Sequence, residues 1–353
     1  MTEAPLDLSP APLRLRLDGA ALAANWRAMA RLSGSAACGA AVKASAYGLG
    51  AREVVRRLRT AGCRDFFVAT WREAAEIADL VEGASLSVLH GVRDADMPLA
   101  RAGFARPVLV SAEQVARWRA ADGGPCDLMV DTGMNRLGLR ADEVGAAMTD
   151  ELPIVTVMSH LADADEDSPR NEAQRGAFAD VARSVRAQRY SLANSAGVFL
   201  GSRFAFDLTR PGLALYGGHP RARAEEVLRP VVEIEAQVVQ RRCVPAGERV
   251  GYGGTWRADR DSDIAILNLG YADGFLRVFG GGVGAAVIDG ARAPIIGRVS
   301  MDLIAIAIPH AAEVGEGDWV ALDYDLPQSA RATGLSQYEL LTLLGGRGDR
   351  LWK

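Results

Sequence analysis

Short, continuously apolar runs alternate with amphipathic runs along the first part of the chain, and the pattern changes character after about residue 225. Behind a leading LRLRL segment (13–17), the apolar runs are CGAAVK ending at Lys43, DFFVA at Ala69, LSVLH at His90, RPVLV at Val110, CDLMVD at Asp131, IVTVMSH at His160, RYSLAN at Asn194 and FAFDLTR at Arg210. Runs of this kind suit strands covered on their outer face, as in a parallel sheet wrapped by helices. Between them, AREVVRRLRTAG (51–62) places Val54, Val55 and Leu58 on one face and closes on Gly62. WREAAEIADLVEG (71–83) does the same with Ala74, Ile77, Ala78 and Val81 before Gly83, and SPRNEAQRGAFADVARSVRA (168–187) is a third helical run. Glycine past the last apolar position and arginine in the last turn are helix-stop signals.

Eight strands alternating with helices predict a (β/α)8 barrel. A doubly wound open sheet is the rival, but no GxGxxG opens the first strand–helix turn. Further on, VVEIEAQVVQRRCV, AILNLGYADG, AAVIDGARAPIIGRVSMDLIAIAI and WVALDYD alternate or run apolar between Gly/Asp-rich turns, with a hairpin signal at Asp289–Gly290. No long helix is expected there before SQYELLTLLGG (336–346). The fold class is therefore α/β plus all-β: a TIM-like (β/α)8 barrel over 10–228, then a C-terminal β-domain over 229–353 that the 13–17 strand joins.

Composition narrows the function. The 353 residues are 49% hydrophobic and 24% charged, an ordinary globular balance, and 40 Lys+Arg against 44 Asp+Glu leave a net charge of −4. No general attraction for nucleic acid follows. No apolar run reaches the roughly 18 residues of a membrane span, so no membrane partner is expected. The N-terminal segment lacks a basic region followed by an apolar one, so no signal peptide is expected. Cys38, Cys63, Cys126 and Cys243 form no CxxC pair, and the histidines no HExxH pattern, so no metal site is expected. Reduced thiols and a cytoplasmic location are the expectation.

In a (β/α)8 barrel the active-site groups stand at the carboxyl ends of the strands. Those ends carry Lys43, Asp131, His160, Asn194 and Arg210. Each alone has a plain structural reading, such as a solvated cap or a packed histidine; five on one rim point to a site. Lys43 lies in AVKASAYGLG, among alanines. Burial disfavours an ammonium, and a neutral amine forms a Schiff base with a carbonyl cofactor.

That motif resembles the pyridoxal-phosphate lysine motif of the alanine racemase family, fold-type III. DTGMNRLG (131–138), MSHLADAD (158–165), NSAG (194–197), RPGLALYG (210–217), VGYGGTW (250–256), LGYADG (269–274), GRVSMD (297–302) and YELL (338–341) continue the resemblance in the family's order. It implies an isomerase that interconverts L- and D-alanine for peptidoglycan, with pyridoxal 5′-phosphate as cofactor, on a barrel followed by a β-domain. By resemblance, Lys43 carries the cofactor and is one acid/base, and Tyr252 is the second, on the opposite face and donated by the other subunit of a homodimer with shared sites. Racemisation takes a proton from one face and returns it to the other, so two groups are a chemical necessity. Arg210 faces the pyridine nitrogen; as a donor that stays charged it opposes ring protonation and favours racemisation over transamination. Tyr47, Ser195, Gly212 and Tyr216 hold the phosphate, with Asn194 beside them, and His160 supports Arg210. Arg136 binds the substrate, together with Met301 and Asp302 from the partner subunit.

The sequence departs from the family in two places. Met129 stands where many members have a carbamylated lysine, which leaves Arg136 without that anion; a small bound anion near Asn135 is one substitute, a looser Arg136 the other. Gly346 stands where some members place a tyrosine, so the pocket mouth is expected to be roomier. A serine or broad-specificity amino-acid racemase is therefore an alternative. A pyridoxal-phosphate carrier protein is a weaker one, because carriers lack the β-domain and the second tyrosine. A decarboxylase is disfavoured by Arg210.

Overall fold

The structure, a computed structural model, describes residues 10–144, 149, 152–309 and 312–353. The chain forms two compact units, one of Gly19–Arg229 and one that unites the described residues up to Asp18 with Pro230–Lys353.

In the Gly19–Arg229 unit the apolar runs are parallel strands. Ala40–Ala41, Asp65–Val68, Ser85–Val88, Arg106–Leu109, Cys126–Asp131, Ile154–Met158 and Arg189–Ser191 pair in that order. The ring then returns on itself. Asp207 and Arg210 donate their backbone N–H to Tyr190 and Ala193, at 2.9 Å each. Leu208–Thr209 pairs in parallel with Ala37–Cys38, the outer half of the first strand. Gly39 joins the two halves of that strand; a Cβ there would sit 2.8 Å from the Asp65 carbonyl, so only glycine permits the approach. Phe67, Val108, Val110, Met129, Met158 and Leu208 form one buried cluster contributed by these strands.

Helices follow the strands as the periodicity predicts, with one difference. The 71–83 run is an α-helix only over Trp71–Ile77 and tightens to a 3-10 turn at Ala78–Leu80. Arg59 draws the chain there by donating to the Leu80 and Glu82 carbonyls. Gly19–Leu32, a 14-residue helix that the pattern reading did not single out, buries Leu22, Trp26 and Met29.

The second unit is an eight-stranded sheet in the order Ser262–Leu267, Ile304–Ala307, Ala291–Ile296, Ala285–Ile288, Trp319–Leu322, Val232–Val244, Leu13–Leu17, Asp349–Trp352. Val232–Val244 also pairs with Ser262–Leu267, which curls the sheet closed. A register shift between Val238 and Gln240 lets this one strand turn from one neighbour to the other. Leu13, Leu15 and Leu17 point inward, with Leu15 opposite Ile234. Asp289 and Gly290 adopt φ of 51° and 78°, and the hairpin register runs Ile288 to Ala291, as the DG signal predicts. A helix at Leu326–Thr333 precedes the expected one, which covers Gln337–Thr342. Its signals were present in the sequence: Asp325 caps the Gln328 N–H at 2.8 Å, a proline sits in the first turn, and Gly334 ends it at φ 73°. Among the described residues no helix is long and apolar enough to cross a membrane.

Candidate active site

The first strand ends at Ala41, and Lys43 follows two residues later. The chain then does something rare. Ala44, Ser45, Ala46 and Tyr47 have φ of 52°, 51°, 53° and 56°, a full left-handed turn without a glycine. Each such residue costs roughly 1–2 kcal/mol, and strain of this kind persists only where the surroundings impose it. Here Ala46 donates to the Val42 carbonyl at 2.9 Å, Gly48 to Ala44 at 2.9 Å and Gly50 to Ser45 at 2.8 Å. The Ala44 N–H donates to Oε1 of Glu73 at 2.8 Å. Burial, and then the positive charge of Arg136, lower the Lys43 pKa; Glu73 opposes the fall.

The turn delivers Tyr47 to Gly212. A Cβ on Gly212 would lie 2.1 Å from the Tyr47 hydroxyl, so the hydroxyl occupies the space that glycine leaves. Ser195 Oγ accepts from the Gly212 N–H at 2.8 Å and the Ala214 N–H at 3.2 Å. Two hydroxyls and two backbone donors thus converge at the start of the Leu213–Tyr216 turn, a donor set suited to a phosphate. Asn194 caps the Ser195–Phe199 helix by accepting from the Gly197 N–H at 2.9 Å. Tyr216 is fully buried, donates its hydroxyl to the Ala41 carbonyl at 2.8 Å and packs 4.7 Å from the Tyr47 ring, so it backs the cradle rather than lining it.

Arg210 is 6% exposed and fixed by donation to Ser191 Oγ and, at 2.5 Å, to the Ser159 carbonyl. Burial pulls its pKa down to about 10, so it stays charged at neutral pH. Burial and the cations Arg210, Arg136 and Lys43 push His160 down to about 3, so its imidazole is neutral. Partial burial would raise the Asp131 carboxyl, but the backbone N–H groups of Gly133, Asn135, Arg136 and Met134 outweigh it and hold the group below its usual range. Asp131 therefore shapes the loop that carries Arg136. Among the described residues none of Lys43, Arg136 and Arg210 takes part in an ion pair. Met129 lies in the apolar cluster of the barrel interior and offers Arg136 no charge. The strand-end rim gathers three cations that form no ion pair among the described residues, beside a ring of neutral donors. That chemistry fits pyridoxal phosphate: an amine for its aldehyde, donors for its phosphate, and a guanidinium for its ring nitrogen.

In the other unit, Tyr252 is 67% exposed on a turn between Gly251 and Gly253, whose φ are 73° and 72°. Met301 is 53% exposed. Its carbonyl accepts from Ala272 at 3.0 Å, and a Cβ on Gly270 would come within 2.1 Å of it. Asp302 accepts from Arg347 at 2.7 Å, and Arg347 forks onto the buried Asp273 at 2.7 and 2.8 Å. Sequence reasoning missed Glu73, Ser159, Ser191, Asp273 and Arg347. The T-x-x-E helix-start signature marks Glu73 as a cap, and nothing in the sequence ties it to Ala44.

Comparison with known proteins follows the same lines. The family described as alanine racemase, N-terminal domain, matches residues 17–220, and alanine racemase, C-terminal domain, matches 231–352. An alanine racemase of Acidiphilium cryptum (strain JF-5) is 43% identical, with 96% of this chain and 98% of the relative covered. A biosynthetic alanine racemase of Agrobacterium fabrum is 41% identical, covering 96% and 93%. The crystal structure of alanine racemase from Bartonella henselae with covalently bound pyridoxal phosphate superposes with a TM-score of 0.91 at 34% identity, covering 98% of this chain and all of that one.

Proposed function

The chain belongs to the alanine racemase family, and from that premise we propose how its own residues perform the reaction. It interconverts L- and D-alanine with pyridoxal phosphate. The observation that carries our assignment of residues is the rim of cations that form no ion pair among the described residues, beside the Tyr47–Ser195–Gly212 cradle. When bound, the cofactor supplies an electron sink that lets the Cα proton leave. Lys43 holds it, and the lowered pKa leaves the amine able to take or return a proton on one face of Cα. Tyr252, presented by the partner subunit of a homodimer, serves the other face. Tyr47, Ser195 and the Gly212 and Ala214 N–H groups hold the phosphate. Arg210, pinned by Ser191 and Ser159, donates toward the ring nitrogen and opposes its protonation. The neutral His160 adds no further positive charge beside it. Arg136 and, from the partner subunit of the homodimer, the Met301 N–H bind the substrate carboxylate, and within that subunit the Arg347 fork holds Asp302 in position. We infer a cytoplasmic enzyme whose D-alanine serves peptidoglycan synthesis.

Mixing Lys43→Ala and Tyr252→Phe proteins, each inactive alone, tests the shared site. Heterodimers keep one intact pair and regain activity, read as deuterium entering Cα of alanine in heavy water. No recovery after verified subunit exchange would rule the shared site out. A second reading has its own support: a Cβ at Gly346 would meet nothing within 4 Å, so the position leaves open space. A broader racemase acting on serine predicts kcat/KM for serine within about tenfold of alanine; a gap far beyond that refutes it.

A further inference from the structure

Four consecutive left-handed residues, Ala44 to Tyr47, lead from Lys43 to the tyrosine that meets Gly212, and one side chain from the first turn of the Trp71–Ile77 helix reaches into that turn. Glu73 accepts at Oε1 from the Ala44 N–H at 2.8 Å, while its Oε2 accepts from the Ala69 and Thr70 N–H groups at 2.7 and 3.2 Å. We propose that Glu73 is a positioning residue: its carboxylate clamps the strained turn to the end of the second barrel strand and so sets where Lys43 and Tyr47 stand. The inference rests on the reading of Lys43 as the cofactor lysine.

The geometry supports it in three ways. The bond falls on the first strained residue, directly after Lys43, where the chain leaves ordinary backbone space. The carboxylate bridges two segments and is itself held by the capping box with Thr70, so it is a rigid anchor. Three N–H donors on one carboxylate exceed what a helix cap needs, and a glutamine cannot replace them: its amide nitrogen would face an N–H on one side or the other. Glu73 also faces Lys43 electrostatically, which ties the clamp to the amine it positions.

The test separates clamp from cap. Ser45 is exposed and sits at φ 51°, so Ser45→Gly removes a strained residue without touching Glu73. Pyridoxal-phosphate affinity of the cofactor-free protein, hydrogen exchange at the Ala44 amide and the melting temperature are measured for the parent, Glu73→Ala, Glu73→Gln, Ser45→Gly and the Glu73→Ala/Ser45→Gly double variant. The clamp predicts cofactor binding weakened about tenfold or more in Glu73→Ala, faster exchange at Ala44, and recovery of much of the affinity in the double variant. Glu73→Gln falls between, and carries the test should Glu73→Ala fail to fold. A lowered melting temperature with unchanged affinity, or a loss that Ser45→Gly does not reduce, overturns the clamp and leaves a helix cap. Failure of the Lys43 reading shows separately: after borohydride reduction, Lys43→Ala would still carry covalent cofactor.

Discussion

The two ends of the barrel are built from the same residue types and do opposite things. At the end where the strands begin, charges meet partners. Asp65 pairs with Arg189 at 2.7 Å, and Asp127 accepts from Arg106 at 3.2 Å, from Ser87 at 2.6 Å and from the Thr156 N–H at 3.0 Å. At the end where the strands finish, Lys43, Arg136 and Arg210 stand together, while the nearby carboxylates of Asp131 and Glu73 are engaged by backbone N–H groups. One end is electrically closed and holds the fold. The other carries three cations that form no ion pair among the described residues and a strained turn, and is where we propose that the anionic cofactor and substrate bind. Stability and function occupy opposite mouths of one cylinder.

The contrast breaks most sharply with one substitution at each end. Lys43→Ala is expected to lower racemisation by about a thousandfold or more, since it removes the residue we propose as both cofactor attachment and acid/base. Its melting temperature should not fall, because an unmatched charge leaves a cation-rich rim. Asp65→Ala should do the reverse: a loss of about 2–3 kcal/mol on urea unfolding, with Arg189 left partly in contact with water, and near-parental activity per folded molecule. Equal effects of the two on stability would dissolve the comparison. The smallest expected effect concerns His160. The folded chain keeps it neutral down to about pH 3, whereas the unfolded chain binds the proton near 6.5. Its contribution is whole above 6.5 and is lost as the pH falls toward 3. Between pH 7 and about pH 5 the parent should lose about 2 kcal/mol more stability than His160→Gln. Parallel pH profiles would contradict the burial and cationic surroundings of the ring.

Much of the rim was legible in the sequence. Lys43, Asp131, His160, Asn194 and Arg210 were readable as strand ends because a continuous apolar run stops where the chain leaves the barrel wall. The eight parallel strands and the DG hairpin followed from the same local logic. What those side chains do there was less legible. Asp131 proves to organise its own loop, Asn194 to cap a helix and Tyr216 to support Tyr47 from behind. The Leu326–Thr333 helix was missed although Asp325, a first-turn proline and Gly334 announce it, because a short helix has too few turns to show a period.

The sequence by itself determined the order of elements, the rim residues and the family resemblance, since these depend on neighbours along the chain: hydrophobic period, turn chemistry and motif spacing. The tertiary structure decided the rest. Glu73 reaches Ala44 across 29 positions, Ser159 reaches Arg210 across 51, and Asp65 reaches Arg189 across 124. Whether a charge is matched or left open, and whether a strained turn can persist, depends on which distant groups the closed ring brings within hydrogen-bond range, and no local pattern in the chain records that distance.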